Sequence, residues 1–199
     1  MARTPAKKII KALFRLLVLP LYGLYLLTSR ISDPDTSFAS YSQFLSLFPG
    51  KTGSYLRAAF YRLACPETSD EIVIGFLTLL SHRDTTIKRG VYIGPQCNIG
   101  KCTIGEDTLI GSGVHILSGN RQHHFDDPDT PIQQQGGTYE KIVIGRDCWL
   151  GNGSLVMVKL PAKTIIAAGS VVNRPPDSSG EIVAGNPAKF IKKRNLTDN

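Results

Sequence analysis

A chain of 199 residues can bury a real core, and one domain with a terminal extension is the natural division. The formal net charge of +7 belongs to one end: Arg3, Lys7, Lys8, Lys11, Arg15 and Arg30 precede the first acid, Asp33, and the remainder is close to neutral. No helix-turn-helix, zinc-finger or RNP-like pattern accompanies that charge, which argues against a nucleic-acid partner.

Residues 1–31 are both the most hydrophobic and the most basic stretch. Ile9 to Leu27 is interrupted by Lys11, Arg15, Pro20 and Gly23, and as a straight helix it reaches roughly 28 Å, barely a bilayer core. Lys7, Lys11 and Arg15 are spaced four apart and share one helical face, which suits a helix lying in a membrane interface with its cations at anionic headgroups. Pro20 and Gly23 are also compatible with a shallow re-entrant hairpin, and packing on the rest of the chain or at a trimer contact is a further reading. No small-residue cleavage site follows Leu27, against a signal peptide.

Residues 33–37 read as a linker. A second amphipathic region, Phe38 to Ala64, divides at Pro49-Gly50. Phe38, Tyr41, Phe44, Leu45 and Phe48 fall on one helical face. Tyr55, Leu56, Ala59, Phe60 and Leu63 form another, with Arg57 and Arg62 expected toward water or phosphate. Buried core and membrane contact both fit these aromatic stripes.

From Thr86 to Val172 an aliphatic residue followed by glycine returns about every six residues: Ile93-Gly94, Ile99-Gly100, Ile104-Gly105 and Ile110-Gly111, then Ile144-Gly145 and Leu150-Gly151. Neither a helix nor a plain strand has that period. A coil of three short strands does, closing one turn of a parallel β-helix in roughly eighteen residues. Each aliphatic side chain is expected to stack inward on its copy in the next coil, and each glycine to accept a backbone conformation costly to other residues. Cys97, Cys102 and Cys148 fall within the repeats and, with Cys65, form no CxxC pair, so they read as reduced packing thiols of a cytosolic compartment.

The repeat stops after Ile116. Residues 117–141, LSGNRQHHFDDPDTPIQQQGGTYEK, are polar and aperiodic before IVIG resumes at Ile142. A solenoid tolerates such an insertion, and long loops in compact domains are often functional. This one carries His123 and His124, followed by Asp126, Asp127 and Asp129.

Four patterns together resemble the hexapeptide-repeat acyltransferases: the repeats, the histidine loop ending in DDPDTPI, IGRDCWLGNGSLV, and AAGSVVNRP followed by IVAGNPAKFIKK. The resemblance covers roughly residues 72–193 and is nearest to sugar O-acetyltransferases of the maltose, galactoside and colanic-acid type. SYSQFLSLFPG and YLRAAFYRL resemble leaders of membrane-associated surface-polysaccharide acetyltransferases. The resemblance implies a mainly β fold, a left-handed parallel β-helix at 71–193 with the catalytic loop 117–141 inserted. A helical membrane-associating region at 1–70 and a short tail at 194–199 complete the chain.

It also implies a homotrimer that transfers acetyl from acetyl-coenzyme A to a hydroxyl of a glycan or lipid-linked sugar at the cytoplasmic face of the membrane. A histidine base serves such a reaction because it can take the hydroxyl proton and return it to the departing thiolate. H-H-F-D at 123–126 matches the family's H-P-L-D, so His123 takes the catalytic position, with His124 exchanged for it by a one-residue slip. Asp126 either orients the imidazole or stiffens the loop. For the donor, the match points to Trp149, Gly151, Ser154, Ala168 and Gly169 along the thioester and pantetheine, and to Lys189 and Lys192 at the coenzyme phosphates. No metal is required. An amino-sugar or antibiotic acetyltransferase is the nearest alternative. A metal hydratase using His82, His115 and His123, and a non-catalytic trimeric scaffold, are alternatives of another class.

Overall fold

A computed structural model of the chain describes residues 5–195, so Arg3 and the tail beyond Asn195 lie outside the described residues. Three helices come first: α1 (Pro5–Ile31), α2 (Pro34–Ser46) and α3 (Gly50–Ala64). α1 runs unbroken through Pro20 and Gly23. The re-entrant bend those residues suggested is overridden by contacts along the helix. Lys11 Nζ reaches Asp70 at 3.5 Å, Phe14 stacks on Tyr55 at 5.2 Å, Val18 is buried, and Tyr22 and Tyr25 meet the Phe60 ring at 6.4 and 5.7 Å. A proline inside a helix costs about 3 kcal/mol, within reach of several buried aromatic contacts.

α2 starts where Asp33 accepts a 2.7 Å hydrogen bond from the Thr36 amide, with Pro34 at the first helical position. Its aromatic stripe divides. Phe38 packs with Tyr25, Phe60 and Tyr61, whereas Phe44 and Phe48 pack on each other and stay exposed.

The expectation that Arg57 faces water or phosphate is incorrect. Its side chain is fully buried, and it donates from Nε and Nη2 to the Ile74 carbonyl (3.1 and 2.9 Å) and from Nη1 to the Leu45 and Phe48 carbonyls (2.9 and 2.8 Å). Gly53, Arg57, Phe60 and Tyr61 share the inward face of α3, and the cation closes the C-terminal carbonyls of α2 where the helix dipole favours positive charge. Burial lowers its pKa from the ordinary arginine value.

The strands are short: β1 (Val73–Ile74), β2 (Leu79–Leu80), β3 (Thr86–Ile87), β4 (Tyr92–Ile93), β5 (Asn98–Ile99), β6 (Cys102–Ile104), β7 (Leu109–Ile110), β8 (His115–Ile116), β9 (Ile142–Ile144), β10 (Trp149–Leu150), β11 (Leu155–Val156), β12 (Ile165–Ile166), β13 (Val171–Val172), β14 (Glu181–Gly185) and β15 (Ala188–Lys193). They stack as three sheets, β1-β4-β7-β10-β12-β14-β15, β13-β11-β8-β5-β2 and β3-β6-β9, parallel except for the terminal β14–β15 hairpin. This is the left-handed β-helix prism expected.

One coil spans 17 residues where the register is regular, as in Tyr92↔Leu109, Asn98↔His115 and Thr86↔Thr103. The six-residue beat shortens at the corner between β5 and β6. Ile74, Ile93, Ile110, Leu150 and Ile166 form one buried ladder, continuous with the aromatic core of the helices.

The reason for the repeated glycines differs from the expectation. Left-handed backbone falls two residues later, at Leu77, Gln96, Gly113, Gly153 and Gly169. What the repeated glycines supply is space. A Cβ on Gly145 would lie 2.4 Å from the Ala162 nitrogen, and one on Gly151 2.5 Å from the Ala168 nitrogen.

Candidate active site

The inserted loop leaves β8 and returns to β9, so it stands at the prism edge shared by the second and third sheets. It is an ordered ribbon, with amide-to-carbonyl bonds from Glu140 to Ser118 (2.9 Å), Thr138 to Arg121 (2.8 Å) and His124 to Gly136 (3.1 Å). Gly137 lies so close to the Gln122 carbonyl that a β-carbon would collide with it. At the base, Lys141 Nζ bonds Asp84 at 2.7 Å, with Lys101 3.4 Å from the same carboxylate. The Lys141 hydrogen bond, more than charge alone, lowers the Asp84 pKa from the usual carboxylate value. The His82 ring lies 5.4 Å from that of Tyr139 on the returning arm.

His123, His124 and Asp126 are all exposed on the outgoing arm. The His124 amide is engaged by the Gly136 carbonyl across the ribbon. Asp127 is the residue that organises the tip. It accepts from the Asp129 amide (2.9 Å) and the Thr130 hydroxyl (2.6 Å), while Gln135 Nε2 bonds the Asp127 and Thr130 carbonyls (2.8 and 2.7 Å). Those two hydrogen bonds, chiefly the Thr130 one, lower the Asp127 pKa. Phe125 at the tip is 74% exposed.

The donor candidates occupy another edge and face. Trp149 projects from the first sheet, 50% exposed, in register with Leu109 on one side and Ile165 on the other. The line continues through Ile182 to Lys192, about 14 Å from Trp149 at one strand spacing per step.

Gly151 and Ser154 lie inside the coil. The Gly151 amide bonds the Ile166 carbonyl (2.8 Å), and the Ser154 amide bonds the Gly151 carbonyl (3.2 Å). Ser154 Oγ is buried and, among the described residues, is the buried side-chain polar atom without a hydrogen-bond partner.

Ala168 and Gly169 are exposed at the corner between β12 and β13. Gly113, Gly153 and Gly169 repeat there with left-handed backbone (φ 65°, 65° and 69°). A β-carbon would meet nothing within 4 Å at Gly153 and Gly169. The result is a strip bare of side chains, rising about 10 Å over two coil spacings. It leads toward the β14–β15 hairpin, on which Lys189 near the turn and Lys192 farther along are exposed and make no ion pair among the described residues. Such a strip fits a slender chain that ends in phosphates.

Sequence reasoning missed Gly113 and Gly153. The Ser112-Gly113 and Asn152-Gly153 pairs were the available turn signal. Asn152 also ties coils together, its Oδ1 accepting from the Ser112 amide at 3.0 Å. His82, His115 and His123 belong to the corner after β2, to β8 and to the loop, and no group of three possible metal-ligating side chains gathers among the described residues.

Comparison with known proteins agrees with this architecture. Residues 84–118 match the family described as "Bacterial transferase hexapeptide (six repeats)". The chain is 39% identical over 108 residues to the putative lipopolysaccharide biosynthesis O-acetyl transferase WbbJ of Escherichia coli K12, covering 49% of this chain and 53% of that one. It is 32% identical over 117 residues to a chloramphenicol acetyltransferase of Klebsiella aerogenes, covering 49% and 53%. The chain thus spans about half the length of these curated relatives. A hexapeptide-repeat acetyltransferase from Vibrio cholerae superposes with a TM-score of 0.68 at 21% identity, over 81% of this chain and 93% of that one. Coils, loop and terminal hairpin lead to one likeness: the chain is similar to hexapeptide-repeat acetyltransferases over the solenoid.

Proposed function

We propose that the protein is a homotrimeric O-acetyltransferase that moves acetyl from acetyl-coenzyme A to a hydroxyl of a cell-surface glycan precursor held at the cytoplasmic face of the membrane. The observation that carries this reading is the separation within one chain of the histidine loop and the bare strip, on different edges of the prism. Reaction needs them together, and a second copy supplies the missing half. Exposed Val73, Tyr92, Leu109 and Trp149 form an apolar column on the first sheet, and exposed Phe125 and Ile132 form an apolar loop tip. A loop-to-prism contact repeated head to tail closes a ring of three. A resident thioester on the Vibrio cholerae relative's fold supports the donor, since that protein was solved with acetyl-coenzyme A.

Acetyl-coenzyme A supplies an activated acyl carbon. The strip formed by Gly113, Gly153, Ala168 and Gly169 admits the pantetheine arm, Trp149 bounds it, and Lys189 and Lys192 meet the phosphates. Gly151 and Ser154 hold the strip's coil in place from inside. His123 takes the acceptor's hydroxyl proton as the oxygen bonds to the acyl carbon; the C–S bond breaks, and the imidazolium returns the proton to the thiolate. Holding both substrates between subunits provides orientation. His124 and Asp126 frame the acceptor.

α1 carries the membrane part. Ile9, Leu13, Leu16, Leu17, Leu24 and Leu27 are exposed on a helix whose most apolar 18-residue stretch has a mean hydropathy of 1.7, which suits a bilayer. Contacts with α3 from Phe14 to Tyr25 hold α1 lengthwise on the protein, which favours lying in the interface over spanning it. Residues 1–70 thus serve as the docking unit and 71–193 as the catalytic body. A drug-directed acetyltransferase is the second reading, favoured by the name of the Klebsiella relative; an acceptor panel of chloramphenicol against lipid-linked glycan separates the two.

The test is ligand-dependent melting. His123→Ala should keep saturable acetyl-coenzyme A binding and lose about 10²–10⁴-fold of turnover with a membrane glycan extract. Absence of binding at millimolar ligand, with the oligomer intact, removes the donor assignment.

A further inference from the structure

Between α1 and α2 runs an open groove of about 550 Å³, lined by Leu21, Leu24 and Thr28 on one side and Thr36, Ser40, Tyr41 and Phe44 on the other. It belongs neither to the strip nor to the histidine loop. We infer that this groove holds the hydrocarbon chain of a membrane-anchored glycan acceptor; the inference rests on the acetyltransferase reading above and names the anchor its substrate carries.

Most of the hydroxyls in the groove already bond within the protein. Thr28 Oγ1 bonds the Leu24 and Tyr25 carbonyls (3.1 and 3.0 Å), Ser32 Oγ the Thr28 carbonyl (3.2 Å) and the Ser37 hydroxyl (2.6 Å), and Ser40 Oγ the Thr36 carbonyl (3.0 Å). A peptide lodged there would bring backbone amides and carbonyls that find few partners, at a cost of desolvation. A hydrocarbon asks for none. The apolar wall is continuous with the exposed leucines of α1, so a chain enters sideways from a bilayer without crossing water.

The polar end of the groove is also tied to the histidine loop. Asp35, beside Thr36, accepts from the Arg83 amide at 2.9 Å. His82, the preceding residue, meets Tyr139, and Thr138 bonds Arg121, two residues before His123. A chain seated among the leucines therefore presents its headgroup on the side of the protein that carries the loop.

The probe is a photo-activatable farnesyl phosphate added to the full-length protein in phosphatidylglycerol nanodiscs, with crosslinks mapped by peptide mass spectrometry. A matching photo-activatable phosphatidylglycerol serves as the bulk-lipid arm. Crosslinks should concentrate at Leu21, Leu24, Tyr41 and Phe44, and excess unlabelled farnesyl phosphate should compete them. Ser40→Trp, which fills the groove from its exposed side, should cut labelling at least fivefold and leave melting temperature and acetyl-coenzyme A binding unchanged. Ser40→Ala should label as the wild type does. Labelling spread over Leu13, Leu16 and Leu17 but absent from α2 overturns the proposal, as does equal, uncompeted labelling by the phospholipid probe. Since acetyl-coenzyme A binding is read separately, its loss would indict the enzyme assignment and leave the groove result standing on its own.

Discussion

Replacing Arg57 by methionine tests whether one buried cation joins the helices to the solenoid. The guanidinium bonds three carbonyls, those of Leu45 and Phe48 at the end of α2 and of Ile74 on β1, at 2.8 to 3.1 Å. Removing it strips those acceptors of their partner at about 1–3 kcal/mol each. Methionine returns part of this, because a desolvated cation no longer has to be held, a relief of several kcal/mol in buried sites. The balance is a net loss of about 3 kcal/mol, at the lower end of what breaking a buried charge interaction costs. For a chain of this size that lowers the melting temperature by about 6–12 °C. Circular dichroism of wild type, Arg57→Met and Arg57→Lys side by side gives the answer. Lysine keeps the charge but cannot fork between α2 and β1, so it should fall between the other two. An Arg57→Met protein melting within 2 °C of wild type (on the order of the shift from 1 kcal/mol) would refute the reasoning.

Two further outcomes follow from the solenoid and the loop base. Gly151→Ala puts a methyl 2.5 Å from the Ala168 backbone nitrogen, a collision no side-chain rotation relieves; it should destabilise by at least about 1–3 kcal/mol, while Gly23→Ala, with open space around it, should not destabilise. A differential melt of the two variants checks this, and equal melting would contradict it. At the loop base, the Asp84 carboxylate has its pKa lowered in the folded state by Lys141. Its contribution is therefore present above the ordinary aspartate value of about 3.9 and is lost as pH falls through the lower folded value. Amide protection at Glu140, after correction for intrinsic exchange, should stay level from pH 8 to pH 5 and collapse only in stronger acid. Asp84→Asn should weaken it already at pH 7. Collapse near pH 6 would point to another group.

How much of this was legible in the sequence depends on whether a feature repeats. The stacked aliphatics at Ile93, Ile99, Ile104 and Ile110 recur every coil, so the solenoid could be read from spacing. The glycines beside them were visible for the same reason, but their cause was not: a close approach between Gly151 and Ala168 is a contact across sequence, whereas a backbone angle is local. Arg57 misled because a helical face was drawn through its apolar neighbours. Its partners, Leu45, Phe48 and Ile74, lie outside α3, and charge alone gives no hint of them. Pro20 is a local signal overruled by distant rings on Tyr55 and Phe60. The histidine loop could be found because it interrupts the beat. Its pairing of Arg121 with Thr138 and of His124 with Gly136 has no periodicity to announce it, although the adjacent Gly136-Gly137 marks where the returning arm must pass close.

The most direct measurement of the central claim, that each catalytic centre joins one subunit's histidine loop to its neighbour's donor strip, is complementation. His123→Ala and a Lys189→Glu/Lys192→Glu double variant, each inactive alone, are coexpressed and isolated as mixed trimers. In either mixed trimer a head-to-tail ring has one interface in three that pairs an intact loop with an intact strip, so activity should return to about a third of wild type. Mixed trimers no more active than the two parents would mean that loop and strip act within a single chain, and the shared-site account would be wrong.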